Sequence, residues 1–384
     1  MTVRIGVNTL FLIPGEVGGT ETYLRQTLLA MAKYFPEVEL VLFTNRENDS
    51  VLRNDLARFN KTEFVQLNFK AQNRYARIIR EQLELPFKVR KSSIDILWSA
   101  GYTAPFFSVC PQVVTIHDMQ YKRHPEDLGF LARYVLDILI RMACWQCEAV
   151  IAVSQFTKEE IIKFTSARAE CVYVTHEGVD PCFKKKSKDK EVRRILKELL
   201  PWEAPYILCV SNTYPHKNVH ILIEAFNKVK DIIPHNLVLV GKPRLGEKKL
   251  QESLAKAGRS RRIRRFKGLS RIQLMAIYHG ADLFVMPSAY EGFGLPILES
   301  MMSEVPVITT KKASIPEVAG RYAQYVDPLT SEQLAKKIID ITKWDEEFRS
   351  DWVEDAKHWA SSFTWKKTAE KTVDALKDVI GGEG

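Results

Sequence analysis

The sequence predicts an α/β protein of two doubly wound domains facing across a cleft, and three observations predict it. Short apolar runs alternate with amphipathic helical stretches over most of the chain, the pattern of a parallel sheet covered by helices. The alternation lapses at about residues 180–200, where 184–194 is polar and lysine-rich, and then restarts with a similar layout. At 384 residues the chain can form two domains that each bury a core.

The elements follow in order. Residues 4–8 read as the first strand and Gly19–Tyr34 as an amphipathic helix, with 40–44 as a second strand. Short apolar runs at 94–98, 112–116 and 149–153 are further strands, Ser154 caps a helix at 157–162, and 171–175 closes the first half. After the polar break, 206–210 is a strand, Val219–Val229 a helix and Asn236–Val240 another strand. A basic segment comes next, then a helix carrying 275–278 and a strand at 282–287. Runs at 305–309 and 323–326 complete the set, and Phe363-Thr364-Trp365 opens a capped amphipathic helix over 366–380.

Composition is that of a soluble globular protein, 46% hydrophobic and 27% charged, without a low-complexity tract. Strand-like sequence from Val3 leaves no room for a signal peptide, and no apolar run approaches a membrane span. The expected location is therefore cytoplasmic. Six scattered cysteines argue against a disulfide framework, and Cys144 and Cys147, though spaced CxxC, fall in an apolar helical pattern without a second ligand pair. No Asp-x-Asp pair is present to clamp a metal–diphosphate complex, so no metal and no cofactor are expected. The net charge of +9 is concentrated: 242–271 holds 12 basic against 2 acidic residues, densest at 259–267. That cluster lacks the interleaved aromatics of a single-strand nucleic-acid binder, which leaves a solvated face or attraction to an anionic membrane.

Open α/β sheets bind ligands beyond the carboxyl ends of their strands. Four constellations stand there. Beyond the first strand, 14–21 is a loop with Gly18-Gly19 opening a helix, but it is not GxGxxG. Thr44-Asn45, not an acidic residue, end the second strand, which counts against a nicotinamide dinucleotide. Beyond the 112–116 strand stands His117-Asp118, where a His can donate to a sugar hydroxyl and the Asp can orient the loop. Beyond the 206–210 strand come Ser211, Asn212 and His216-Lys217-Asn218, with Lys217 close to a helix N-terminus that suits a diphosphate. The fullest signal is Glu291-Gly292-Phe293-Gly294-Leu295-Pro296-Ile297-Leu298-Glu299, a glycine loop between strand and helix. Its backbone N–H groups suit an anion, and its two carboxylates at different depths suit polyol hydroxyls.

In this order and spacing, Gly18-Gly19, His117-Asp118, His216-Lys217-Asn218 and the 291–299 block resemble the retaining GT-B glycosyltransferases of family 4, over essentially the whole chain. The resemblance implies two Rossmann-like domains: residues 1–185 for the acceptor, 186–363 for a nucleotide-sugar donor, and a helix at 364–384 that crosses back to the first. It implies that Glu291 contacts donor-sugar hydroxyls and Glu299 the ribose. Backbone N–H groups of Phe293, Gly294 and Leu295 would reach sugar or phosphate, Lys217 would neutralise the diphosphate, and His117 would bond the sugar. Gly18 and Gly19 would shape the acceptor side. Many members carry an Arg a few residues before the phosphate-binding Lys, where this chain has Ser211 and Asn212; Lys242 or Arg244 then stands as a candidate second cation.

The implied activity is metal-independent transfer of a hexosyl group, with retention, from a nucleoside diphosphate sugar to a glycan or lipid-linked acceptor. The loops look most like bacterial mannosyl- or rhamnosyltransferases of surface-polysaccharide assembly, which points to GDP-mannose. The basic 259–267 segment and residues 74–80 add an expected peripheral contact with an anionic membrane at its inner face. A 2-epimerase of the same architecture, a phosphorylase and a nucleic-acid-binding regulator remain as alternatives, although nucleic acid is not an expected partner.

Overall fold

The computed structural model describes residues 2–184, 190–256, 258 and 261–382; Arg259 and Ser260 of the basic cluster, and 185–189 of the polar break, lie outside them. The chain divides into two compact units, one of residues 1–178 with 364–384, the other of residues 179–363.

The first unit opens with β1 (Val3–Asn8), α1 (Gly19–Tyr34), β2 (Val38–Thr44), α2 (Asp49–Leu56) and β3 (Thr62–Gln66). A long helical stretch follows, α3 (Arg74–Ile79) running through a π-helical turn at Arg80–Glu84 into α4 (Leu85–Lys91). Then come β4 (Ile96–Ser99), β5 (Gln112–Ile116), α5 (Gln120–Arg123), α6 (Phe130–Gln146), β6 (Ala149–Ala152), α7 (Gln155–Phe164) and β7 (Val172–Val174). The seven strands form one sheet in the order β3-β2-β1-β4-β5-β6-β7, parallel throughout. Every residue of β4, β5 and β6 is buried, as expected of strands covered on both faces. Ser154 caps α7 by accepting from the Thr157 N–H.

The second unit contains α8 (Lys190–Leu199), β8 (Tyr206–Val210), α9 (Val219–Val229), β9 (Asn236–Val240), α10 (Glu247–Lys256), β10 (Ile263–Phe266), α11 (Arg271–His279) and β11 (Leu283–Met286). It continues through α12 (Leu295–Met302), β12 (Val307–Thr309), α13 (Ile315–Ala319), β13 (Gln324–Tyr325), α14 (Ser331–Thr342) and α15 (Glu346–Ser361). Its six strands are parallel in the order β10-β9-β8-β11-β12-β13. Ile207, Leu222, Phe226 and Ile338 lie at the centre of its core, each 0% exposed. The last helix, α16 (Trp365–Gly381), belongs to the first unit: Thr364 caps it, Thr368 donates to the His176 carbonyl at 2.9 Å, and Lys377 pairs with Glu37 at 2.9 Å.

Two local readings are corrected. Half of the polar break is helical, because Val192 and Ile195 of α8 bury themselves against Ala276 of α11. The basic segment contains α10 and an edge strand, β10, and its cations are partly turned inward. Arg262 donates to the carbonyls of Lys230, Ile233 and His235, and Arg265 forks onto Glu247 at 2.5 and 2.7 Å. Sequence counts charge, whereas hydrogen-bond partners supplied by distant segments decide where charge points.

Candidate functional site

In the second unit the chain order reverses between β8 and β11, neighbours in the sheet, so a crevice-forming switch point lies beyond their carboxyl ends. Lys217 follows β8 and Glu291 follows β11. Their side chains meet there, Lys217 Nζ standing 2.6 Å from Glu291 Oε2, at 17% and 15% exposure. The flanking residues explain the meeting. The Ala289 N–H donates to the His216 carbonyl at 2.8 Å, and Asn218 Nδ2 donates to the Pro287 carbonyl at 3.2 Å. His216 is buried and stacks on Tyr214 with ring centroids 5.7 Å apart. His216 and Asn218 therefore stitch one strand end to the other, and Lys217 between them is aimed at Glu291. Asn218 adopts a left-handed backbone, φ 52°, which Asn tolerates better than most residues.

The glycine loop is pinned from beyond the next strand. Ser314, fully buried, shares its hydroxyl proton between the carbonyls of Glu291 and Phe293, each at 2.9 Å. Gly294 takes φ +114°, which L side chains rarely adopt, and stands at the N-cap of α12 without a side-chain cap. In this first turn Pro296 has no N–H and the Ile297 N–H donates to the Gly294 carbonyl at 3.0 Å, so the backbone of the loop and of Leu295 is what this helix start offers an anion. Glu299 lies further along α12, beside Cys182 and Tyr278. The Cys182 thiol is pushed up to about 11, by burial first and then by the Glu299 charge, and the same two causes hold the Tyr278 hydroxyl well above the usual phenol range. Beneath the pair, Cys209 is pushed up to about 12, again by burial and then by Glu291.

Ser211 and Asn212 sit in a loop locked to the one after β9. Asn212 Oδ1 accepts from the Lys242 N–H at 2.8 Å, Thr213 Oγ1 accepts from the Arg244 N–H at 2.6 Å, and the Ser211 hydroxyl donates to the Asn212 carbonyl at 3.1 Å. Gly241 makes this approach possible: a Cβ there would stand 2.0 Å from the Ser211 carbonyl oxygen. Lys242 and Arg244 are thus anchored by their backbones to the loop that leads to Lys217. Thr213 also donates to Glu247 at 3.1 Å, so the Glu247–Arg265 pair braces the same loop.

In the first unit His117 stands at the end of β5, 6% exposed. Its Nε2 lies 3.0 Å from the Ala100 carbonyl, which can only accept, so Nε2 carries a proton. Its Nδ1 faces Glu177 Oε1 at 3.6 Å. Tyr23 meets the ring edge-on at 4.8 Å. Asp118 holds the loop: one oxygen accepts from the Gln120 N–H at 2.9 Å, the other from the Tyr102 hydroxyl at 2.8 Å. Gly18, φ +60°, is the N-cap of α1, and a Cβ on it or on Gly19 would meet nothing, so backbone angle rather than space calls for glycine at Gly18. Glu21 folds back to accept from the Gly15 N–H at 2.6 Å and pairs with Arg25 at 3.0 Å. Sequence reasoning missed Glu177, Ser314 and Glu247. Only Glu177, at the end of the last strand of its sheet, left a positional signal. Among the described residues no three His, Cys, Asp or Glu side chains converge as they would around a metal ion.

Two family models match the chain: "Glycosyltransferase Family 4" over residues 17–183 and "Glycosyl transferases group 1" over 193–359. O-antigen chain mannosyltransferase B of Escherichia coli is 27% identical over 271 residues, 69% of this chain and 70% of that protein. O-antigen chain mannosyltransferase RfbU of Salmonella typhimurium is 28% identical over 56% of this chain and 57% of its own length. The serotype-specific mannosyltransferase WbdA of Escherichia coli is 27% identical over 61% of this chain but only 29% of its own length. For the latter two the match spans less than two thirds of the relative. Among solved structures, a glycosyltransferase from Rickettsia africae has a TM-score of 0.76 at 17% identity, covering both chains fully. Anabaena Alr3699/HepE, solved with UDP-glucose, also scores 0.76, at 19% identity over 98% of this chain and 99% of its own. With both units matched by family models and the architecture shared with these structures, the chain belongs to the family 4 glycosyltransferases of GT-B fold.

Proposed function

We propose that the chain is a retaining hexosyltransferase that moves mannose from GDP-mannose to a glycan or lipid-linked acceptor in surface-polysaccharide assembly, on the cytoplasmic face of a membrane. The observation that carries this reading is the 2.6 Å Lys217–Glu291 pair at the switch point of the second sheet, beside the uncapped start of α12. The three curated relatives named above are mannosyltransferases, and they favour transfer over epimerisation or nucleic-acid binding.

In this reading the hard part of the reaction is charge. The leaving diphosphate gains negative charge, and Lys217 and the backbone N–H groups of Phe293, Gly294 and Leu295 at the start of α12 oppose it without a metal or cofactor. Ser211 and Asn212 belong to the donor-binding loop, with Lys242 or Arg244 as the second cation. The sugar becomes oxocarbenium-like, and Glu291 holds its hydroxyls while Glu299 takes the ribose. His117 bonds a sugar hydroxyl, and Gly18, Gly19 and Asp118 serve the acceptor. The acceptor oxygen attacks the anomeric carbon on the face from which the diphosphate departs, the carbon–phosphate oxygen bond breaks, and the acceptor proton passes to the departing phosphate.

A panel of nucleotide sugars, scored by thermal stabilisation and by slow release of free nucleotide, tests the reading. GDP-mannose should raise the melting temperature most and Lys217→Ala should abolish the effect. No stabilisation by any nucleotide sugar, or an epimer formed without acceptor, would overturn it.

A further inference from the structure

We propose that the hollow between α5 and the start of α6 in the first unit is a binding pocket for an acidic sugar residue, one that carries a carboxylate or a phosphate. The inference goes beyond the donor reading above and does not need it. The pocket measures about 350 Å³. That is near the lower end of the roughly 300–1,000 Å³ of small-molecule sites, the size of one pyranose with its substituent. Tyr121, Phe130 and Tyr134 line it together with Lys122, Arg133 and Asp137.

Helical spacing decides which residues of α6 reach the pocket. Phe130, Arg133, Tyr134 and Asp137 stand at i, i+3, i+4 and i+7 and so share one face, while Ile140, Ala143 and Cys144 anchor the helix in the core. Phe130 and Tyr134 remain 75% and 59% exposed. Aromatic faces left open beside a hollow match the face of a pyranose that presents ring hydrogens rather than hydroxyls. The floor is fixed: Tyr121 is buried, and its hydroxyl donates to Asp137 Oδ1 at 2.9 Å. Gln120 ties the floor to the strand end, its N–H donating to Asp118 at 2.9 Å and its side chain to Asp127 at 2.7 Å. The pocket therefore belongs to the segment that carries His117 and Asp118 beyond β5.

Charge selects the substituent. Asp137 pairs with Lys122 at 2.6 Å, and both of its oxygens accept from Arg141 at 3.2 Å. Burial works against its ionisation, yet hydrogen bonds from Lys122 and Tyr121 hold its carboxyl below the usual range. Asp137 is thus a carboxylate already engaged by two cations. Arg133 differs. It is half-buried and lies 5.6 Å from the Phe130 ring, and among the described residues none offers its guanidinium an acceptor. A guanidinium is a planar fork that fits a carboxylate or a phosphate. In a pocket with aromatic walls, its partner is an anion attached to a ring. A neutral sugar would leave Arg133 unpaired, and free phosphate would leave the walls bare.

The test is a ligand-observed NMR titration of the full chain with glucuronic acid, glucose 1-phosphate, glucose and inorganic phosphate, in excess GDP and UDP so that the donor side is occupied. At least one acidic sugar should bind about ten-fold or more tightly than glucose and inorganic phosphate, and the tighter of the two identifies the substituent. Arg133→Ala should erase the preference over glucose. Phe130→Ser/Tyr134→Ser should weaken the acidic sugar about ten-fold, with melting temperature and nucleotide-sugar stabilisation unchanged. Glucose binding as tightly as both acidic sugars, inorganic phosphate matching them, variants that bind like the wild type, or no saccharide binding at all would overturn the proposal. So would displacement of the bound sugar by phosphatidylglycerol vesicles, which would assign the pocket to lipid. Failure of nucleotide sugars to stabilise the wild type would sink the donor reading and leave the sugar titration standing, so the two failures are distinguishable.

Discussion

Replacing Glu291 by Gln should tighten binding of a free nucleoside diphosphate while slowing transfer. The Lys217–Glu291 contact of 2.6 Å corresponds to a gross attraction of about 6 kcal/mol at an effective dielectric of about 20. Both side chains are largely buried, so desolvation offsets most of this and the net pairing is about 1 kcal/mol. A diphosphate bound beside Lys217 competes with Glu291 for the same cation. Removing the carboxylate charge relieves the competition and should tighten GDP or UDP binding roughly five-fold. The loop should hold its place, because Ser314 bonds the backbone carbonyl of Glu291 and not its side chain. Turnover of the nucleotide sugar should nevertheless fall by about two to three orders of magnitude, since the amide cannot accept from sugar hydroxyls as a carboxylate does. Calorimetric titration with GDP and UDP, paired with initial rates of nucleotide release, separates the two effects. Diphosphate affinity that falls in step with turnover would refute the argument and make Glu291 a brace of the loop.

Further outcomes follow from the residues around the pair. Ser314→Ala should cost about 1–2 kcal/mol in urea unfolding and raise KM for the donor, because two buried carbonyls lose their shared donor. Gly241→Ala should cost about 3 kcal/mol or more, as its Cβ would stand 2.0 Å from the Ser211 oxygen; a fall in melting temperature of only a degree or two would show that the loops separate easily. Glu247 is held down at about 2 from its usual 4.5, chiefly by its hydrogen bonds from Arg265. Its folded value lies below its unfolded one, so its stabilisation is present above about pH 4.5 and is lost as pH falls towards 2. Glu247→Gln should therefore lose about 2 kcal/mol at neutral pH and flatten the acid limb of the unfolding curve over that window, allowing for its partial exposure.

What was legible and what was not divide by the range of the interaction. The central strands β1, β5, β6, β8, β9 and β11 announce themselves because burial on both faces demands unbroken apolar runs. The edge strands β3 and β10 do not, since one flank meets solvent and charge is tolerated there. The positions of Lys217 and Glu291 beyond their strands could be read from order alone. That they touch could not, since it depends on Asn218 reaching Pro287 and on the pairing of β8 with β11. His117 was legible as a strand-end residue, but its engagement with Ala100 and Glu177 was not.

By itself, the sequence determined the alternation of strands and helices, the caps at Ser154 and Thr364, and the glycine loop with its two carboxylates. These are local matters, set by periodicity, backbone angles and hydrogen bonds between residues a few positions apart. The tertiary structure decided which charges face one another. It turned Arg262 and Arg265 inward, gave Lys217 its carboxylate and left an apolar face of the first unit open to its surroundings. The physical reason is that a charge takes its direction from partners far away in the chain, and only the folded sheet brings those partners within reach.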